Sequence, residues 1–290
     1  MTRSGKSARL MAHFGEPFVE MHPADAAAAD LAPADLAVIE SPGGRATLRV
    51  LVSERQRRGS VFAPMHWTDQ FASNGRVDAL VGGATDPVSG QPELKFTPVS
   101  ARRYGAVWHG FAVSTRAMVT EDAEYFAVAP AKSGFRAEYA GLSTPEDWTA
   151  FAHNTLALDP SWEALAYRDA SNGQYRLVAF EDSRLVGALF VARGPVAVSR
   201  TFFAERLGRE IPSAERLKLL SGRPGARERD RGPVVCACFD VGRNEILDAA
   251  REGCETVAAI GARLKAGANC GSCRGEIGRL LERVRERPAV

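Results

Sequence analysis

Four of the five cysteines in this 290-residue chain stand in its last fifth, as Cys236-x-Cys238 and Cys270-x-x-Cys273. Thiolates two or three positions apart converge on one ion or cluster when a tight turn or a helix N-terminus aims both sulfurs the same way. An iron-sulfur cluster or a metal ion is the first reading, and paired disulfides, zinc and chance placement compete with it. Disulfides belong to oxidising compartments. The opening MTRSGKSARLMAHF has no long apolar h-region or small-residue cleavage site, and the cysteine count is odd. Structural zinc favours wider knuckles than the single-residue gap of Cys236-x-Cys238.

The elements around the cysteines must bring the two pairs together. After Cys238, VGRNEILDAAREG places Ile246, Leu247 and Ala250 on one helical face, with Gly253 as the stop. Val257, Ile260 and Leu264 repeat with helical spacing in a second short helix that Gly267 ends. A third helix over 274–285 carries Ile277, Leu280, Leu281 and Val284 as its apolar stripe, which puts Cys270 and Cys273 at a helix N-terminus. Free backbone N–H groups there favour negative sulfur. A cluster held by four thiolates is anionic, so these donors, with Arg243, Lys265 or Arg274 nearby, would raise its reduction potential.

The stretch CACFDVGRNEILDAAREGCETVAAIGARLKAGANCGSC resembles the bacterioferritin-associated-ferredoxin-like [2Fe-2S] domain. That resemblance covers residues 234 to about 284 and implies that Cys236, Cys238, Cys270 and Cys273 ligate the cluster. Cys254 lies outside the pattern and reads as a small buried residue.

Composition bounds the rest. With 45% hydrophobic and 25% charged residues the chain reads as globular, with two or three domains and a substantial core. A formal net charge of +2, with the charges interspersed, argues against a dedicated nucleic-acid surface. No apolar stretch is long enough for a membrane span, and LVGALFVA at 185–192 suits a buried strand. The expected compartment is the cytoplasm.

The first hundred residues read as β-rich. Phe18–Met21 is a short strand, and HPADAAAAD opens a brief helix near Pro23. LAVIES and ATLRVLVS flank the turn PGGR as a hairpin, with Ala46, Leu48, Val50 and Val52 alternating onto one face. VFAPMHW reads as a further strand, and the Gly-rich segment 73–91 is too long for an idle turn.

Residues 59–99, GSVFAPMHWTDQFASNGRVDALVGGATDPVSGQPELKFTPV, together with the opening MTRSGKSARL, resemble the C-terminal molybdopterin-dinucleotide-binding domain of molybdopterin oxidoreductases, above all that of bacterial assimilatory nitrate reductases. The family fold is a six-stranded double-psi β-barrel. A pyrophosphate flanked by purine-like rings is met by backbone N–H groups, hydroxyls, cations and amides. The resemblance implies contacts from Thr2, Arg3, Ser4, Lys6, His66, Trp67, Asp78, Glu93 and Lys95. Many family members have Asn where Asp78 stands, and a carboxylate accepts from a pterin amine but cannot donate. Without the resemblance, His66-Trp67 reads as packing at a strand end and Lys95 as a surface charge.

Between these regions, 106–116 reads as a strand, 145–157 as a helix capped by Thr144, and YRLVAFEDSRLVGALFVA as a hairpin turning at Asp182-Ser183. This part resembles the corresponding stretch of the same nitrate reductases and, more loosely, a small α+β domain of pyridine-nucleotide-dependent nitrite reductases. Docking is its expected role. One or two helices follow over 200–220, broken at Ile211-Pro212, and then SGRPGARERDRGP reads as a linker that spans roughly 20 Å if flexible.

The expected architecture is multidomain: a molybdopterin dinucleotide-binding double-psi β-barrel (mainly β) over 1–103, a small α+β domain over 104–198, a helical segment and linker over 199–233, and a small all-α [2Fe-2S] domain over 234–290. No G-x-S-x-G elbow, P-loop or H-E-x-x-H is present, and Gly82-Gly83 is no dinucleotide fingerprint. No cysteine precedes residue 236, so the [4Fe-4S] run of the family's catalytic chains is absent. The resemblance therefore implies the C-terminal part of an assimilatory nitrate reductase: one face of a molybdopterin guanine dinucleotide site, plus a [2Fe-2S] carrier. The start at Met1 suggests a fragment, a split gene product or a misplaced start, and this chain alone is not expected to reduce nitrate. Its expected partners are the N-terminal catalytic portion or a separate molybdoenzyme chain, and an electron-donor protein; neither nucleic acid nor membrane is expected. The alternative is a stand-alone ferredoxin-like accessory module serving a separate molybdoenzyme or nitrite reductase chain.

Overall fold

The computed structural model describes residues 14–94, 96–222, 230–236, 239, 241–269, 271 and 273–286. The first body is a four-stranded mixed sheet in the order β1-β3-β2-β4, from β1 (Phe18–Met21), β2 (Leu36–Ser41), β3 (Gly44–Val52) and β4 (Ser100–Arg103). Strand β1 runs parallel to β3, while β2 lies antiparallel to both β3 and β4. The alternation expected of β3 is observed: Ala46, Leu48 and Val50 are buried with Val19, Met21 and Ile39, and helix α1 (Pro23–Ala28) adds Ala26. The hairpin turn needs glycine at position 44, because a Cβ there would stand 2.6 Å from the Ala79 carbonyl oxygen.

VFAPMHW is not a strand. Phe62 exchanges backbone hydrogen bonds with Glu20, and no further pairing follows. Pro64 lacks the N–H that continued pairing needs. The long connection after it includes a 3-10 turn, Val77–Leu80.

The second body is a six-stranded antiparallel sheet in the order β6-β7-β5-β10-β9-β8. Its strands are β5 (Trp108–Ser114), β6 (Tyr125–Ala131), β7 (Gly134–Gly141), β8 (Glu163–Asp169), β9 (Gln174–Glu181) and β10 (Arg184–Ala192). Successive side chains point to opposite faces, and both faces are apolar, as a sheet covered on both sides requires. Trp108, Tyr139, Leu177 and Leu189 meet α2 (Trp148–Thr155) on one side. Phe111, Val178, Phe180 and Phe190 meet α3 (Arg200–Arg206) and α4 (Ser213–Leu219) on the other. Helices of seven residues are marginal alone. Burying Phe202 and Phe203 against Phe190, at about 1.5–3 kcal/mol for a full side chain, is what holds α3.

The cap of α2 is Asp147 rather than Thr144. Its Oδ1 accepts from the Thr149 and Ala150 amides at 2.7 and 3.2 Å, so the helix starts at Trp148, later than expected. The β9-β10 hairpin turns as expected, with Asp182 at φ 55°.

The two sheets meet at the β6 edge. Ala72 bridges to Ala127, the Ser73 amide donates to the Phe126 carbonyl at 2.9 Å, and the Val128 amide to that of Phe71 at 2.7 Å. An exposed edge strand is thereby covered by the 59–99 connection. Tyr125 donates to Glu16 at 2.7 Å, and Glu16 also pairs with Arg49 at 2.6 Å, tying β6 to the first sheet.

The C-terminal module is helical with a small ribbon, β11 (Val234–Cys236) paired with β12 (Val241–Gly242), so it is not wholly α. The β-branched pair Val234-Val235 favours extended backbone at that point. Helices α5 (Arg243–Arg251), α6 (Val257–Leu264) and α7 (Arg274–Glu286) pack Ile246, Ile260, Ile277, Leu280 and Leu281 into one core. Helix α6 ends at Lys265 in the left-handed conformation, φ 60°, two residues before the glycine expected to stop it.

The stretch expected as a flexible linker is fastened at its described end. Ser199 donates to the Asp230 carboxylate at 2.9 Å and Thr201 to the Gly232 carbonyl at 2.8 Å, while Arg231 pairs with Glu205 of α3 and Glu245 of α5. One guanidinium spanning two carboxylates is what composition alone could not reveal.

Candidate functional site

Two of the four cysteines are described, and the fold brings them together. Cys236 ends β11 and Cys273 sits immediately before α7; both are buried, at 2% and 4% exposure, among Val235, Ile246, Ile277 and Leu280. Their thiols are hydrogen-bonded to each other, and the Gly267 N–H points at the Cys273 sulfur. Burial, and then the adjacent Cys236, push the Cys273 thiol up to about 11. A thiol with its pKa raised, as at Cys273, is a poor nucleophile but a ready ligand, because a bound cation strips the proton. The donor set therefore fits an iron-sulfur cluster. Cys238 and Cys270 lie outside the described residues, and among the described ones no three His, Cys, Asp or Glu side chains gather at one metal position.

The local sequence makes this geometry in a readable way. Glu245 accepts from the Gly242 amide at 2.7 Å at the start of α5, and Thr256 caps α6 by accepting from the Ala259 amide at 3.1 Å. Arg274 donates to the Gly267 carbonyl at 2.8 Å, fixing the cysteine-bearing loop against α7. Of the cations expected nearby, Arg274 thus belongs to that loop, Lys265 is the α6 cap, and Arg243 faces a cleft towards the six-stranded sheet. Cys254 is half-buried against the same core.

The residues expected at the dinucleotide divide by burial. His66, Asp78 and Glu93 are exposed on the 59–99 connection, with His66 at φ 76° and Asp78 in the 3-10 turn. Trp67 is 2% exposed and packs on Leu36, Ala72, Tyr125 and Ala127, where it holds the connection to β6. Glu93 closes a small loop through its amide and the Ala84 carbonyl, 3.0 Å apart; within that loop Asp86 accepts from the amides of Val88 and Ser89. These amide bonds, with the Ser89 hydroxyl, hold the Asp86 carboxyl below its usual range. Val88 and Phe96 stand out to solvent beside it. Thr2, Arg3, Ser4, Lys6 and Lys95 lie outside the described residues.

A site that sequence reasoning missed lies on one face of the six-stranded sheet. Arg136 and Glu138 of β7 alternate onto that face with His109 of β5, and Arg49 and Arg200 reach it from β3 and α3. Glu138 binds Arg200 through two hydrogen bonds, 2.9 and 3.0 Å. Burial opposes the charge on Glu138, yet Arg200 and the other guanidinium groups hold its carboxyl below the usual range. Burial likewise opposes charge on Arg49, and Glu16 outweighs it to keep Arg49 firmly protonated. No motif marks these residues in the sequence, where Arg136 and Glu138 are two polar positions among apolar ones.

Comparison with known proteins agrees with the two ends. Residues 1–98 match the family described as Molydopterin dinucleotide binding domain, and residues 234–283 the BFD-like [2Fe-2S] binding domain. A nitrate reductase of Klebsiella oxytoca is 35% identical over 97% of this chain, which spans 32% of that protein. The assimilatory nitrate reductase catalytic subunit of Bacillus subtilis is 43% identical over 32% of the chain and 13% of its own length. The nitrite reductase (NADH) large subunit of Escherichia coli is 33% identical over 39% of the chain and 14% of its own length. The chain thus spans about a third or less of these relatives. Among the described residues, no helix is long and apolar enough to cross a membrane. One domain family thus matches each end of the chain, and a nitrate reductase is similar to it along nearly its whole length.

Proposed function

We propose that the chain serves as the C-terminal part of a molybdenum-dependent assimilatory nitrate reductase, working in the cytoplasm. In this reading the four-stranded sheet belongs to a double-psi β-barrel that holds one face of the molybdopterin guanine dinucleotide, and the helical module carries electrons towards molybdenum for reduction of nitrate to nitrite. The buried, hydrogen-bonded thiols of Cys236 and Cys273 are the observation that carries it. Cys238 and Cys270 supply the remaining two thiolates, and the bound cluster acts as a one-electron carrier. The chain's own part is to keep the cluster in an apolar core and to place amide donors on its sulfurs. His66, Asp78 and Glu93 are exposed on the 59–99 connection, and in this reading they would meet the dinucleotide. The domain divisions at 103/104, 198/199 and 233/234 belong to the same reading, with 104–198 as a docking body. An N-terminal catalytic portion and an electron-donor protein are its partners.

The test is reconstitution with iron and sulfide under anaerobic conditions. Two iron and two sulfide per chain, with an electron paramagnetic resonance signal on reduction, are expected. Stoichiometric zinc without sulfide overturns the reading.

A further inference from the structure

Arg231 stands where the helical module meets the six-stranded sheet and the helices α2–α4 packed on it, here the central body. Among the described residues, the apolar core of the module takes nothing from the central body, and no helix or strand of one packs extensively against the other. Bodies with separate cores shift relative to each other unless a large hydrophobic interface holds them. The contacts that fix this module must therefore be polar and directional.

Residues 230–232 supply them on one side, and α3 with its cap on the other. The Ser199 hydroxyl donates to the Asp230 carboxylate at 2.9 Å, the Thr201 hydroxyl to the Gly232 carbonyl at 2.8 Å, and the Arg231 guanidinium to Glu205 at 2.5 Å. Gly232, at φ 68°, takes the left-handed conformation that glycine favours. The same segment is bound to the module through its backbone. The Asn244 amide donates to the Arg231 carbonyl at 3.0 Å, and the Arg243 amide to that of Pro233 at 2.8 Å. A Cβ at Gly242 would stand 2.0 Å from the Arg231 carbonyl oxygen, so glycine is what admits that approach. Segment 230–233 thus belongs with the module, and α3 is the face it docks on.

The Arg231 side chain grips both bodies. Its Nε donates to Glu245 at 2.9 Å while another of its nitrogens holds Glu205, and Glu245 also accepts from the Gly242 amide. From there the ribbon leads to the candidate ligand, since Val234 pairs with Gly242 and Cys236 with Val241. A planar guanidinium donates in two directions with fixed geometry, which an ammonium on a flexible stem does not. A further ion pair, Arg55 to Glu282 of α7 at 3.5 Å, joins two exposed side chains and adds little.

We propose that Arg231 is a positioning residue for electron transfer: it locks the helical module onto α3 in one orientation and so fixes where the cluster stands relative to the central body. Orienting the redox group is the protein's share of such chemistry. The electron-transfer role rests on the cluster reading above. The docking does not, because none of its contacts involves a cysteine.

The experiment uses the full chain as purified, with backbone amide relaxation measured by nuclear magnetic resonance at low ionic strength. In the unmodified chain the amides of α5, α6 and α7 share one correlation time with those of β5–β10. In Arg231→Gln, and in Glu205→Ala on the α3 side, the module takes a shorter correlation time than the central body while the chemical shifts of its helices stay unchanged. A residue needed only for the fold of the module does not give that combination. Glu205 lies outside the module, so Glu205→Ala decides if Arg231→Gln disturbs the start of α5. A module that tumbles independently in the unmodified chain overturns the proposal, as does a common correlation time retained in either folded variant. Reconstitution with iron and sulfide is scored apart: a chain that takes up no cluster refutes the cluster reading and with it the electron-transfer role, while the relaxation result still decides the docking.

Discussion

His109 makes the stability of the central body depend on pH, with a size the structure supplies. Burial, and then the Arg49 guanidinium, hold its pKa down at about 4 against an ordinary 6.5, while Asp35 and Glu138 pull the other way. Between these values the unfolded chain binds a proton that the folded chain refuses, so unfolding is favoured as pH falls. The contribution is complete above about pH 6.5 and lost progressively down to about pH 4. At about 1.4 kcal/mol per unit the full shift corresponds to ~3 kcal/mol, and because the cleft admits water on one side, about half of that is the expected loss. Glu138 titrates in a lower window, since it is held below its usual range and its contribution is lost only beneath about pH 4.3. Urea unfolding followed by tryptophan fluorescence at steps from pH 7 to 4.5 measures this, with His109→Phe as the reference. The unmodified chain loses about 1–2 kcal/mol more than the variant over that range. Equal slopes in the two proteins refute the assignment of a buried neutral imidazole.

Other consequences follow from particular contacts. Glu138→Gln leaves the half-buried Arg200 without its carboxylate and lowers stability by about 1–3 kcal/mol in urea unfolding, while adding Arg200→Met restores part of the loss. Cys273→Ser abolishes the visible absorption of the reconstituted cluster while leaving the fluorescence of Trp108 and Trp148 unchanged, since both lie in the central body. Asp147→Ala removes the acceptor for two amides at the start of α2 and costs about 1 kcal/mol, read as a lower melting temperature. Gly44→Val drives a side chain into the Ala79 carbonyl and destabilises the first sheet by about 1–3 kcal/mol, measured by hydrogen exchange in β2 and β3.

Wherever a pattern is local, the residues determine it unaided. The cysteine spacing, the apolar stripes of α5, α6 and α7, the PGGR and Asp182-Ser183 turns and the fully apolar run of β10 are all written within windows of a few to a dozen residues. Such windows set backbone propensity and period, which is why these elements stand where expected. Thr144 and Asp147 are both competent caps, and the choice depended on which side chain reached free amides, a contest of geometry that spacing does not rank.

Tertiary structure alone decided what depends on contacts between distant segments. The meeting of Cys236 with Cys273, the burial of Trp67 against β6, and the fastening of residues 230–233 to α3 and α5 each join parts of the chain that share no local pattern. The same holds for the arginine and glutamate cluster around His109. In sequence, Arg136 and Glu138 are two polar positions that no motif singles out. They are half-buried because the first sheet and α3 close over that face, and Arg200, Glu16 and Arg49 arrive with them to balance the charge.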